Sequence, residues 1–173
     1  MSQLNPQLLE ILRRVYKDNN HAFYLKQCKE PFDLPDALLE VIETAGYWFA
    51  SGNTLKEDIW PSVRYYITVP SFIEGNFQVD YGVELEVSKL VPAYRLNFTY
   101  EIENNDPDRL APVFHDFSDH PFTQCQMKFI EAWQQVAQEL GWERIQEAQS
   151  QELFLKESIW RCLSYDLLEL CPE

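Results

Sequence analysis

The chain has 173 residues, of which 46% are hydrophobic, 14% aromatic and 24% charged, a composition typical of a folded protein rather than a disordered one. Its 28 acidic and 14 basic side chains give a formal net charge of −14. That charge disfavours binding to nucleic-acid phosphates or anionic membranes and favours a basic partner. The length predicts a single domain over residues 1–173.

The first part of the chain predicts two helices. Over 6–18, apolar side chains recur with helical spacing, and Pro6 suits the first position of a helix. A second helix is expected over 36–50, followed by a Ser-Gly-Asn stop. The segment 21–35 between them has no clear period.

The middle of the chain changes to a period of two. Apolar and polar side chains alternate over 59–69, 77–87 and 94–103, which predicts three strands with one buried face each. The connections between them are short and contain Gly75 and Pro92, which favours an antiparallel meander.

The rest of the chain predicts a loop over 104–121 and a strong helix over 123–140 that ends at Gly141. A short strand or extended segment is expected within 142–155, and 157–170 predicts either a short helix or an extended pairing segment. The expected fold is therefore α+β, with helices packed on one face of an antiparallel sheet.

The four cysteines, Cys28, Cys125, Cys162 and Cys171, are widely separated and form no C-x-x-C motif. The N-terminus lacks the basic start and apolar core of a signal peptide, and no stretch of 18 apolar residues is present. These features predict a cytoplasmic protein with reduced thiols.

The stretch HDFSDHPF, residues 115–122, contains two of the three histidines of the chain. A metal site here would use His115 and His120 with Asp116 or Asp119. The same residue types also begin helices. Ser118 or Asp119 can act as the N-cap, or Thr123 can cap with Gln126 in a capping box. We favour the helix start, and we expect neither a metal nor a cofactor.

An enzyme is the main alternative. The sequence contains no G-x-S-x-G, Walker or G-x-G-x-x-G motif. Cys125 follows His120 near a predicted helix N-terminus, so it is the best candidate for a nucleophile. A metal or cysteine centre within 115–125 therefore remains an alternative, as does a scaffold or assembly subunit. We expect a protein that is not an enzyme.

Carboxylates concentrate on the polar faces of the predicted strands and in the loop that follows them. Like charges on neighbouring strands oppose pairing, and a basic partner would relieve that repulsion. We therefore expect a small acidic binding protein that neutralises a basic protein partner, as bacterial toxin-immunity proteins do when they occlude a cationic nuclease site. The expected contact residues are Asp80, Glu84, Glu86, Glu101, Glu103, Asp106 and Asp108, with Trp60 and Tyr66 as exposed anchors.

Overall fold

The computed structural model describes residues 6–18, 20–51, 60–108 and 114–145. The helices are α1 (Pro6–Leu12, continued by a π-helical turn over Arg13–Lys17), α2 (His21–Lys29), α3 (Asp36–Ala45) and α4 (Gln124–Glu139). The strands are β1 (Tyr47–Ser51), β2 (Ser62–Glu74), β3 (Phe77–Ser88), β4 (Ala93–Asn104), β5 (Phe114–Ser118) and β6 (Glu143–Arg144). The segment 157–170, Cys162 and Cys171 lie outside the described residues.

The strands form one sheet in the order β1-β2-β3-β4-β5, in which every neighbour is antiparallel. The two-residue strand β6 adds to β4 in parallel, beside its first residues. The predicted α+β class and the antiparallel meander are therefore confirmed. No described helix is long and apolar enough to cross a lipid bilayer.

Helices α3 and α4 pack on one face of the sheet and form the main core. Strand residues of one parity meet buried helix residues there, because alternate side chains of a strand point to the same face. The largest contributors include Ile67, Leu85, Phe98, Leu38, Ile42 and Trp133. Each such aliphatic side chain stabilises the fold by about 1.5–3 kcal/mol when fully buried.

A second apolar cluster holds α1 and α2 against the β3–β4 connection. Leu12, Val15 and Tyr24 pack there with Val91 and Ile145. The Lys89 ammonium donates to the Cys28 carbonyl at 3.0 Å, which joins α2 to the end of β3. The helix predicted over 6–18 thus packs at the end of the sheet that contains this connection.

The structure corrects two segments. Residues 46–50 were expected to belong to a helix, but α3 ends at Ala45 and Tyr47–Ser51 pairs with β2 instead. Aromatic residues favour strands, and an adjacent strand edge outweighs the weak helical pattern. Residues 104–121 were expected to be loop, but Phe114–Ser118 forms β5 by pairing with β4.

Strand β2 also differs from its predicted limits of 59–69. It begins at Ser62 and runs to Glu74, past an irregularity between Val69 and Phe72. The Gln126 side chain of α4 bonds the sheet at Gly82 on β3 and Thr99 on β4. From there toward the turn at Gly75, the strands continue for about 17 Å. We call residues 70–81 and 100–108 the sheet extension.

Candidate functional site

The face of the sheet opposite α3 and α4 is called here the second face. Its side chains form cross-strand rows, because the register of each pair is fixed. One row contains Arg64, Glu86 and Arg95, and the next contains Phe49, Tyr66, Glu84 and Asn97. A third row, further along, contains Asp80, Glu101 and His115.

The sheet extension collects most of the predicted contact carboxylates. It contains Glu74, Asp80, Glu101, Glu103, Asp106 and Asp108 and has no lysine or arginine. Asp106 accepts the Asp108 backbone N–H at 2.9 Å, which fixes the turn that follows β4. The sequence placed these acids on two strands and a loop, and the fold brings them to one end of the sheet.

Two carboxylates of the extension share a rung of the β3–β4 ladder. Asp80 is the direct partner of Glu101, and Glu101 is in turn the partner of His115 on β5. One Asp80 oxygen accepts from the Gln78 amide at 2.7 Å. In the part of the chain that the structure describes, no lysine or arginine occupies this row, so no such cation separates the two carboxylates.

Glu86 has a different environment from the other predicted acids. It is buried, and one carboxylate oxygen accepts from Arg64 Nε at 3.0 Å and from the Ser62 hydroxyl at 3.1 Å. These donors compensate the burial of the carboxylate charge, and the buried side chain presents little surface to a partner. Glu86 therefore lies apart from the acidic end of the second face.

The two predicted aromatic anchors are also separated. Trp60 is 43% exposed, but it precedes β2 at the end of the sheet opposite the extension. Tyr66 lies in the middle of the second face and stacks on Phe49, with ring centroids 4.8 Å apart and planes 19° apart. Tyr66, and not Trp60, is thus close to the acidic rows.

The tip of the extension carries exposed apolar side chains that the sequence reading did not select. Phe72, Ile73 and Phe77 are all more than half exposed, on either side of the turn at Gly75. Phe72 and Phe77 belong to the face that α3 and α4 cover elsewhere, whereas Ile73 belongs to the second face. The alternating pattern of β2 was followed only to residue 69. The irregularity before Phe72 then shifts the alternation by one residue, so the pattern of 59–69 does not predict which face Phe72 and Ile73 occupy.

In the stretch HDFSDHPF, residues 115–118 belong to β5 and residues 119–122 connect β5 to α4. His115 and Asp116 lie on β5, and the Ser118 hydroxyl accepts the His120 N–H at 3.0 Å. The cap of α4 is Thr123, with the capping box to Gln126 that was one of the two predicted helix starts, and the other, a cap at Ser118 or Asp119, is wrong. Among the described residues, no group of three or more His, Cys, Asp or Glu side chains is placed to hold a metal ion.

Gln126 connects this cap to the sheet. Its Oε1 accepts from the backbone N–H groups of Phe122 and Thr123 at 2.8 and 3.1 Å. Its Nε2 donates to the Gly82 and Thr99 carbonyls at 2.7 and 3.1 Å. One buried side chain therefore fixes the start of α4 at the base of the extension.

Cys125 is an exposed free thiol, whereas the Cys28 side chain is buried. Cys125 lines an open cavity of about 610 Å³ between α3 and α4, together with Lys128, Glu40, Pro70 and mainly apolar side chains. Neither His115 nor His120 lines this cavity, so it does not bring together the pair of residues on which the cysteine-centre alternative depended.

In comparisons with known proteins, no family model, curated protein or solved structure matches this chain.

Proposed function

We propose that this protein binds a basic protein partner and neutralises it by placing the sheet extension in a cationic cleft of that partner. One observation supports this proposal above the others. The extension carries six carboxylates and no lysine or arginine, and residues 70–77 at its end are all exposed. Cations of a partner would relieve the repulsion between these acids and would be steered toward them.

The apolar tip supports the same proposal. Charged rims speed association, whereas apolar side chains that lose contact with water supply much of the affinity. Phe72 and Phe77 are 54% and 52% exposed at the tip, with Glu74 between them in sequence. An exposed apolar group framed by acids suits a cleft with basic walls and an apolar floor.

The specific form that we propose is a bacterial toxin-immunity protein that acts in the cytoplasm, where it blocks the nucleic-acid site of a cationic nuclease. Such a site binds phosphates through lysine and arginine, which the carboxylates of the extension would replace. The free, exposed thiol of Cys125 is consistent with a reducing compartment. The contact set that we propose is Glu74, Asp80, Glu101, Glu103, Asp106 and Asp108, with Phe72 and Phe77.

The test compares two tagged proteins on lysate from the source cells. One is the wild type, and the other carries Asp80→Asn, Glu101→Gln and Glu103→Gln together. We expect the wild type to capture one basic protein that mass spectrometry identifies, and the variant to lose it. Capture of no protein, of an acidic protein, or of the same protein equally by both would overturn the proposal.

The captured protein is then produced alone and its association with each variant is timed. Neutralising three carboxylates should slow association by about 10- to 100-fold at low salt and flatten its salt dependence. For the toxin-immunity form, an equimolar amount of wild type should stop cleavage of nucleic acid by the captured protein. A captured protein without such activity would reject that form while leaving the binding proposal in place.

A further inference from the structure

We propose that Phe49, Tyr66 and Glu84 bind one arginine side chain of the basic partner. This inference rests on the proposed function, and it names a contact on the second face beyond the sheet extension. The three residues belong to β1, β2 and β3 and lie side by side in one row. We call them the aromatic–acid row.

The geometry of the row suits a flat cation. Phe49 and Tyr66 stack with centroids 4.8 Å apart, which matches the spacing between neighbouring strands. Phe49 therefore covers part of one face of the Tyr66 ring. Glu84, the direct β3 partner of Tyr66, lies on the side of Tyr66 away from β1. A guanidinium there would lie against the ring and meet the carboxylate.

Exposure and charge favour the same ligand. Phe49 is 51% exposed, and Tyr47, two residues earlier on the same face of β1, is 75% exposed. Aromatic rings thus face water at positions where a polar side chain would be expected. The arginines of the second face lie in the next row, where Arg64 Nε bonds Glu86 at 3.0 Å and Arg95 is the β4 partner of Glu86. Among the described residues, Glu84 has no lysine or arginine within ion-pair distance.

Arginine fits this row better than lysine does. A guanidinium is planar, stacks on aromatic rings and pairs with a carboxylate through two parallel N–H bonds. An ammonium is a compact, strongly hydrated charge that gains less from the ring. The row also lies on the same face as Asp80, which precedes Glu84 by four residues on β3. One partner surface can therefore reach both the row and the extension.

The experiment measures binding of labelled oligoarginine and oligolysine of equal length by fluorescence anisotropy. We expect the wild type to bind oligoarginine about two- to fivefold more tightly than oligolysine. Tyr66→Leu and Phe49→Leu should each reduce that preference, and Glu84→Gln should weaken oligoarginine binding without any loss of packing. Circular dichroism of each variant establishes that it is folded.

Two matched controls locate the effect. Phe117→Leu removes another exposed aromatic from the second face, 70% exposed but away from Glu84, and should keep the preference. Glu103→Gln removes an acid of the extension and should weaken both peptides equally. Equal binding of the two peptides by the wild type, or an unchanged preference in Tyr66→Leu, would overturn the arginine site.

The outcomes separate this inference from the proposed function. Capture of a basic protein from lysate without any arginine preference rejects the aromatic–acid row alone. An arginine preference that depends on Tyr66, without capture of a basic protein, rejects the proposed function and keeps the row as a guanidinium-binding site.

Discussion

Asp80 and Glu101 are direct partners across the β3–β4 ladder, so two carboxylates occupy one rung of the sheet. Like charges placed opposite each other destabilise strand pairing, by up to about 1 kcal/mol. The free protein therefore carries a local cost at the place where we propose that it meets cations. Removing that cost should have effects on stability and on binding with opposite signs.

We expect Asp80→Asn to raise the free energy of unfolding by a few tenths to about 1 kcal/mol at low salt. Added salt should shrink the gain, because it screens the repulsion. Glu101→Gln should have a similar effect, and the double variant should gain less than the sum of the two. Urea unfolding at two salt concentrations measures this, and fully additive gains would mean that the two carboxylates do not interact.

Glu86 should behave in the opposite way from Asp80. Glu86→Ala leaves the Arg64 guanidinium and the Ser62 hydroxyl without this acceptor, and should lower the free energy of unfolding by about 1–3 kcal/mol. Glu84→Ala, two residues away in the next row, should change it by less than about 0.5 kcal/mol. If Glu86→Ala kept full stability but slowed association with a partner, its carboxylate would act on the partner directly.

We expect replacement of Gln126 to lower stability even when the new residue is glutamate, which can also complete a capping box. Gln126→Glu keeps an acceptor for the N–H groups of Phe122 and Thr123 but loses both donors to the Gly82 and Thr99 carbonyls. It also buries a charge, so we expect a loss of about 2 kcal/mol or more in urea unfolding. The exposed Gln138→Ala is the control, and an equally stable Gln126→Glu would show that the cap alone matters.

Stability should fall at high pH because of Tyr65. Burial, with the Asp33 carboxylate nearby, raises the pKa of Tyr65 to about 12 from its ordinary 10.0. Above pH 10 the unfolded chain loses this proton while the folded chain keeps it, so unfolding becomes more favourable until the folded pKa is passed. The loss is on the order of 2 kcal/mol between pH 10 and 12. Unfolding measured across this range should show a shallower decline in Tyr65→Phe than in the wild type.

The local pattern of the sequence predicts the parts of this fold that local forces determine. The alternation in β3 and β4 gave their limits within a residue or two, and the Thr123–Gln126 capping box was one of the two helix starts predicted from spacing. Strands β1 and β5 were missed because they form on edges supplied by distant residues. At Gly46, a Cβ atom would collide with the Thr68 carbonyl, so the turn into β1 depends on β2.

The sequence likewise predicts one part of the candidate site and not another. Acidic residues on alternate positions predicted a charged face, but only the register shows that Arg64 meets Glu86. A signal for that register was present in the sequence. The apolar residues of β2 and β3 are odd-numbered. A two-residue turn at Gly75–Asn76 with regular pairing would place odd-numbered residues opposite even-numbered ones, and the apolar residues of the two strands would then lie on opposite faces. One irregularity was therefore required, and the structure places it between Val69 and Phe72.

The projection of the sheet extension has a consequence for its dynamics. Residues 70–77 at the end of the extension are all exposed, so they are held mainly by the backbone ladder between β2 and β3. Such segments open locally at lower free energy than the core does. Their amide hydrogens should exchange with solvent deuterium sooner than those of Leu85 or Leu96. A bound partner would slow that exchange and leave its footprint on the peptides that exchange fastest in the free protein.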